Sequence, residues 1–81
     1  MPVRDQIRDT VAEVFGMPVA EVPQDASIET VESWDSLRHM ELMLELEMRF
    51  GVQMTTDVMP TLISVEAIEE FLQEQGAGGQ G

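Results

Sequence analysis

The chain has 81 residues, and a domain of that size buries only about 60–65% of the surface its unfolded form exposes, which leaves little room for a deep catalytic pocket. Apolar residues make up 43% of it, enough for a core, while the lack of cysteine and the single histidine exclude a disulfide framework, thiolate chemistry and a structural zinc site. Sixteen acids against four arginines and no lysine set a net charge of −12, which repels nucleic acid and anionic lipid and favours proteins with basic patches.

Val3, Ile7, Val11, Val14 and Phe15 recur at helical spacing, with Arg4, Asp5, Arg8, Asp9 and Glu13 on the other face, so a first helix is predicted over 3–15. Pro2 suits a first helical position, and Gly16 with Pro18 ends the pattern. Residues 16–34 then lack a sustained period and hold the turn and cap residues Pro18, Pro23, Asp25, Ser27, Thr30 and Ser33. A connection this long in a small domain is either pinned or functional. Val19, Val22, Ile28 and Val31 are expected to pin it by packing on the bundle.

The second helix is predicted over 36–50, with Asp35 or Ser36 as its N-cap and Gly51 closing it in the left-handed conformation. Leu42, Met43, Leu46 and Phe50 fall on one side of it, with His39 in the same sector. Leu37, Leu44 and Met48 form a second apolar stripe beside Glu41 and Glu45. A helix apolar on two sides exceeds what core packing needs, so the second stripe reads as a face for transient docking. Beyond Gly51, Thr55, Thr56 and Asp57 form a capping cluster, and Pro60 limits any helix there to one turn. A last helix is predicted over 65–73, capped by Ser64, with Glu66 near its positive end and Ile68, Phe71 and Leu72 facing inward.

Strand signals are weak throughout, and no apolar run reaches membrane-spanning length. The predicted fold is all-α, a small four-helix bundle of three main helices and one short helix, with a long first loop. Residues 1–75 form the expected domain and 76–81 a flexible glycine-rich tail. A soluble cytoplasmic monomer is expected, with neither membrane nor nucleic acid as partner.

Trp34-Asp35-Ser36-Leu37 stands where the long loop becomes the second helix. A serine hydroxyl there projects from a helix N-terminus, whose unpaired amides and positive dipole end favour an attached phosphate. At these residues the sequence resembles the acyl carrier protein family. The resemblance rests on Asp35-Ser36-Leu37 followed by a helix bearing Glu41, Leu42, Leu46, Glu47 and Phe50, and it runs from the first helix to Leu72. It implies a non-catalytic carrier whose Ser36 receives 4′-phosphopantetheine from coenzyme A through a phosphopantetheinyl transferase. The arm then carries acyl intermediates as thioesters.

The same resemblance implies that Asp35, Leu37, Glu41 and Glu47 are recognition positions, with Leu44, Glu45 and Met48 beside them. They would meet acyl-loading, condensing or modifying enzymes through basic patches. Leu46, Met54, Leu62 and Ile68 match positions that line an acyl cavity, and Met43 joins them, since methionine suits a cavity that reshapes around its cargo. Arg38 and Arg49 reverse the sign usual for that surface, Pro60 lies within the region of the short helix, and Trp34 is bulky for its position. Together these departures point to a carrier in a dedicated pathway, fatty-acid, polyketide or related, rather than the housekeeping one.

Other readings compete at the same residues. Asp35, Ser36 and His39 invite a hydrolase triad, because Ser36 and His39 stand one turn apart. A triad needs an oxyanion hole and a pocket, and no Gly-x-Ser-x-Gly elbow is present. No calcium-binding loop occurs among the acids. A peptidyl or aminoacyl carrier usually shows Gly-Gly-x-Ser where this chain has Ser33-Trp34-Asp35-Ser36. An unmodified acidic helical adaptor is the alternative outside the carrier class.

Overall fold

The computed structural model describes residues 3–76; Pro2 and most of the glycine-rich tail lie outside the described residues. Three helices form the frame: α1 (Val3–Phe15), α2 (Ser36–Phe50) and α3 (Val65–Glu74). Two single 3-10 turns, Val19–Glu21 and Met59–Thr61, lie in the connections. Among the described residues there is no strand, only one antiparallel bridge between Ser27 and Ser64. The all-α bundle expected from the sequence is therefore the fold observed.

Local chemistry explains the helix limits. Gly51 closes α2 at φ 65°, a conformation that glycine adopts without a Cβ penalty, and its N–H reaches the carbonyl of Glu47 at 2.9 Å. Ser64 caps α3 by accepting the N–H of Ala67 at 3.0 Å. The short fourth helix is a single 3-10 turn with no side-chain cap, so Thr55, Thr56 and Asp57 do not play the capping role expected of them. Pro60 occupies its first turn and lacks the amide that a cap would satisfy. The carbonyl of Thr55 instead accepts the N–H groups of Val58 and Met59.

One buried cluster joins the three helices. Ile7 and Val11 of α1, Leu42, Met43 and Leu46 of α2, and Val65, Ile68 and Leu72 of α3 are all sealed from solvent. Burying each such side chain contributes about 1.5–3 kcal/mol before the entropy of ordering it is counted.

The long first loop is pinned differently from expectation. Val22 and Val31 are buried, but Val19 and Ile28 are exposed. Val19 opens the surface 3-10 turn, and Ile28 begins the turn that the carbonyl of Ser27 closes with the amides of Thr30 and Val31. Ala26 and Trp34 take the inward places. Polar pins complete the work: Arg8 of α1 donates to the carbonyls of Val22 and Val19, and Arg4 donates to that of Gln24. The loop also clips onto the start of α3 through Ile28 N–H to Ile63 O and Val65 N–H to Ala26 O, each 2.9 Å.

Candidate functional site at the start of helix α2

Asp35 has extended backbone, and its side chain accepts the N–H of Arg38 at 2.9 Å. That cap fixes the direction in which α2 leaves the loop. Asp35→Ala is expected to cost about 1 kcal/mol, visible as a lower urea midpoint, with Asp35→Asn recovering most of it.

Ser36 is the first residue of α2, exposed, and its hydroxyl has no hydrogen bond to any described residue. The chain has four serines. Ser64 is spent as a cap, and Ser27 accepts from Glu29 N–H and lies against Thr30. Ser33 lies in the loop, before the buried Trp34. Among the described residues only Ser36 presents an uncommitted hydroxyl at a helix N-terminus.

Beneath it lies an aromatic brace. Trp34 is 2% exposed. Its ring meets the edge of Phe15 at a centroid distance of 5.5 Å and stacks on His39 at 6.1 Å. Trp34 Nε1 donates to His39 Nδ1 at 2.9 Å, and His39 Nε2 stands 2.8 Å from the carbonyl oxygen of Met59. An indole N–H only donates, so Nδ1 accepts and the proton of the neutral imidazole sits on Nε2, where it bonds Met59. With both ring nitrogens committed, His39 is no general base for Ser36, and the triad reading has no geometry to support it.

The sign reversals read from the sequence both find partners on α1. Arg38 donates from Nη1 to the carbonyl of Val14 at 3.0 Å, satisfying an acceptor in the last turn of α1. Arg49 pairs with Glu13 of α1 and with Glu45 one turn back, and its Nη1 reaches Thr10. The hydrogen bond with Glu45 holds Arg49 further above the ordinary arginine range, as that with Glu69 does for Arg4. All four arginines thus have partners within the chain: Arg49 is ion-paired with Glu13 and Glu45 at the surface, whereas Arg38 keeps its charge and gives one N–H to a backbone carbonyl.

The second apolar stripe is real. Leu37, Leu44 and Met48 are between 51% and 78% exposed, and Met40, at 51%, joins them. Met40 was readable from the sequence, since it lies three residues after Leu37 and four before Leu44. Of the acids expected to flank the stripe, Glu41 is exposed, Glu45 is paired with Arg49, and Glu47 accepts the N–H of Met54 at 2.7 Å. The five expected cavity residues, Met43, Leu46, Met54, Leu62 and Ile68, do come together, each 5% exposed or less in the one core cluster. Leu62 also lines an open groove of about 340 Å³ with Val58, Phe71 and Glu70.

Among the described residues no group of acids and histidine is placed to hold a metal ion, and no helix is long and apolar enough to cross a membrane. The residues at Ser36 do fit a covalent phosphate ester, since a primary alcohol open to solvent is what such a bond requires.

Comparison with known proteins agrees with this geometry. Residues 5–72 match the family described as the phosphopantetheine attachment site. Over 69 residues the chain is 32% identical to polyketide-8 synthase acyl carrier protein 2 of Streptomyces avermitilis, covering 85% of this chain and 79% of that relative. The chain belongs to the phosphopantetheine-binding acyl carrier proteins. The carrier has no catalysis of its own: it tethers acyl intermediates on a covalently attached 4′-phosphopantetheine and works with a phosphopantetheinyl transferase and biosynthetic enzymes. The acyl carrier resemblance read from Asp35-Ser36-Leu37 is borne out at that level.

Proposed function

We propose that Ser36 is the residue that bears the arm, and that this carrier presents its cargo to the enzymes of a polyketide-type pathway. The observation that carries the site is the exposed, uncommitted hydroxyl at the first position of α2, with Asp35 as cap on one side and Leu37 exposed on the other. The polyketide assignment is supported by the name of the similar Streptomyces avermitilis carrier. In loading, Ser36 Oγ bonds to the pantetheine-side phosphorus of coenzyme A, the P–O bond of the pyrophosphate breaks, adenosine 3′,5′-bisphosphate leaves and the hydroxyl proton passes to a base of the transferase. When bound, the arm supplies a terminal thiol for the acyl group. Residues 1–75 act as one carrier domain, working as a cytoplasmic monomer. Intact mass after incubation with coenzyme A and a promiscuous transferase, with Ser36→Ala alongside, tests the assignment: one added phosphopantetheine that the variant lacks supports it, and addition in the variant or none at all sinks it.

Docking falls to Leu37, Leu44 and Met48, with Asp35, Glu41, Glu45 and Glu47 as the acidic rim facing basic patches. Arg49, which would oppose such a rim, is paired with Glu13 and Glu45, and Arg38 is turned to the carbonyl of Val14 on α1. Leu44→Glu places a charge in the middle of the stripe without touching the core, so folding should change by less than about 0.5 kcal/mol. The rate at which a cognate enzyme acylates the holo protein should fall about tenfold or more. An unchanged rate would move the docking face off this stripe.

A further inference from the structure

Among the described residues, the segment 54–62 is hydrogen-bonded to α2 at two points. At one end Glu47 accepts the N–H of Met54; at the other His39 donates to the carbonyl of Met59. Between these points the seam is apolar, with Met43 and Leu46 on α2 and Met54 and Leu62 on the segment, all in the buried cluster. His39 lies three residues after Ser36 and Glu47 eleven, so the His39 clasp is the one nearer the arm. That clasp is itself set by Trp34, whose N–H occupies Nδ1 and leaves the imidazole proton on Nε2, toward Met59.

We propose that His39, oriented by Trp34, is the gate of the cargo seam. Its bond to Met59 holds segment 54–62 closed over Met43 and Leu46, and an acyl chain tethered at Ser36 enters there by breaking that bond. The inference rests on Ser36 bearing the arm. It makes His39 a specificity-determining residue: a long apolar chain gains enough burial to displace one hydrogen bond, whereas a short or polar one does not. Breaking the bond leaves Met59 O its second partner, the N–H of Leu62 at 3.2 Å, so the toll is that of a single neutral hydrogen bond.

Two isosteric substitutions separate the halves of the relay. Asparagine sets an acceptor near Nδ1 and no donor near Nε2, so His39→Asn keeps Trp34 and loses Met59. Glutamine sets a donor near Nε2, so His39→Gln keeps the clasp. In the apo protein, exchange of the Thr61 and Leu62 amides should be about fivefold faster in His39→Asn and within about twofold of wild type in His39→Gln. With an octanoyl chain loaded from octanoyl-coenzyme A, hydroxylamine should cleave the thioester about fivefold more slowly in His39→Asn, because the chain enters more readily. Wild-type exchange rates in His39→Asn would overturn the clasp; faster exchange with unchanged or faster cleavage would overturn the gate. A further arm needs no variant: octanoyl loading should speed exchange at Thr61 and Leu62 in the wild-type protein, and unaltered protection there overturns the gate. Failure of Ser36 to load at all would strike the attachment assignment instead, while exchange in the apo protein still judges the clasp.

Discussion

Ser36→Ala will yield a folded protein that takes up no phosphopantetheine. The two halves of that result have separate causes. Folding survives because the lost hydroxyl is exposed and bonds to no described residue, so nothing buried is left unpaired and stability should move by less than about 0.5 kcal/mol. Alanine also keeps the first helical position, since the cap that sets the entry of α2 belongs to Asp35. Loading vanishes because the other serines offer no substitute: two are bonded within their turns or caps and Ser33 lies outside the helix start. Intact mass and a urea melt on the same sample read both halves. A variant that still gains the arm would transfer the site to another residue, and one that fails to fold would mean that Ser36 supports the loop in a way its exposure does not show.

Trp34→Ala should have the largest effect on stability, about 3–5 kcal/mol, a large share of what holds a small domain together. The ring is 2% exposed, braces Phe15 and His39, and lies two residues before Ser36. Its removal opens a cavity between the C-terminal end of α1 and the start of α2 and strips His39 Nδ1 of its donor. Trp34→Phe keeps most of the volume and loses the hydrogen bond, so a cost nearer 1 kcal/mol is expected. Urea unfolding followed by helical circular dichroism ranks the three proteins. Equal losses in the alanine and phenylalanine variants would show that the indole hydrogen bond, and not the packed ring, is what the fold depends on.

The unequal legibility of neighbouring residues has a physical basis. Gly51 and Ser64 were readable as helix ends, and the start of α2 was readable to within Asp35 or Ser36, because a cap acts within one turn, through groups three or four residues away; the structure gives Asp35. Trp34 was read only as a bulky residue before the serine, since nothing local tells whether an indole at a loop end turns inward. The expected pins Val19 and Ile28 failed for a related reason: a loop without period has no face, and its side chains take the side that the turns around Ser27 and Val22 impose. Met40 was the avoidable omission, because its place in the exposed stripe follows from helical spacing alone.

The sequence by itself determined the three helices, the caps of α2 and α3 and the serine at the loop-to-helix junction, which rest on periodicity and contacts within a turn, and its Asp35-Ser36-Leu37 run carried the acyl carrier resemblance. Only the tertiary structure decided what the arginines do. Arg38 finds Val14 across 24 residues, Arg49 finds Glu13 across 36 and Arg4 finds Glu69 across 65. A long charged side chain takes whichever unsatisfied carbonyl or carboxylate the fold brings within reach, and that choice exists only once the helices have packed.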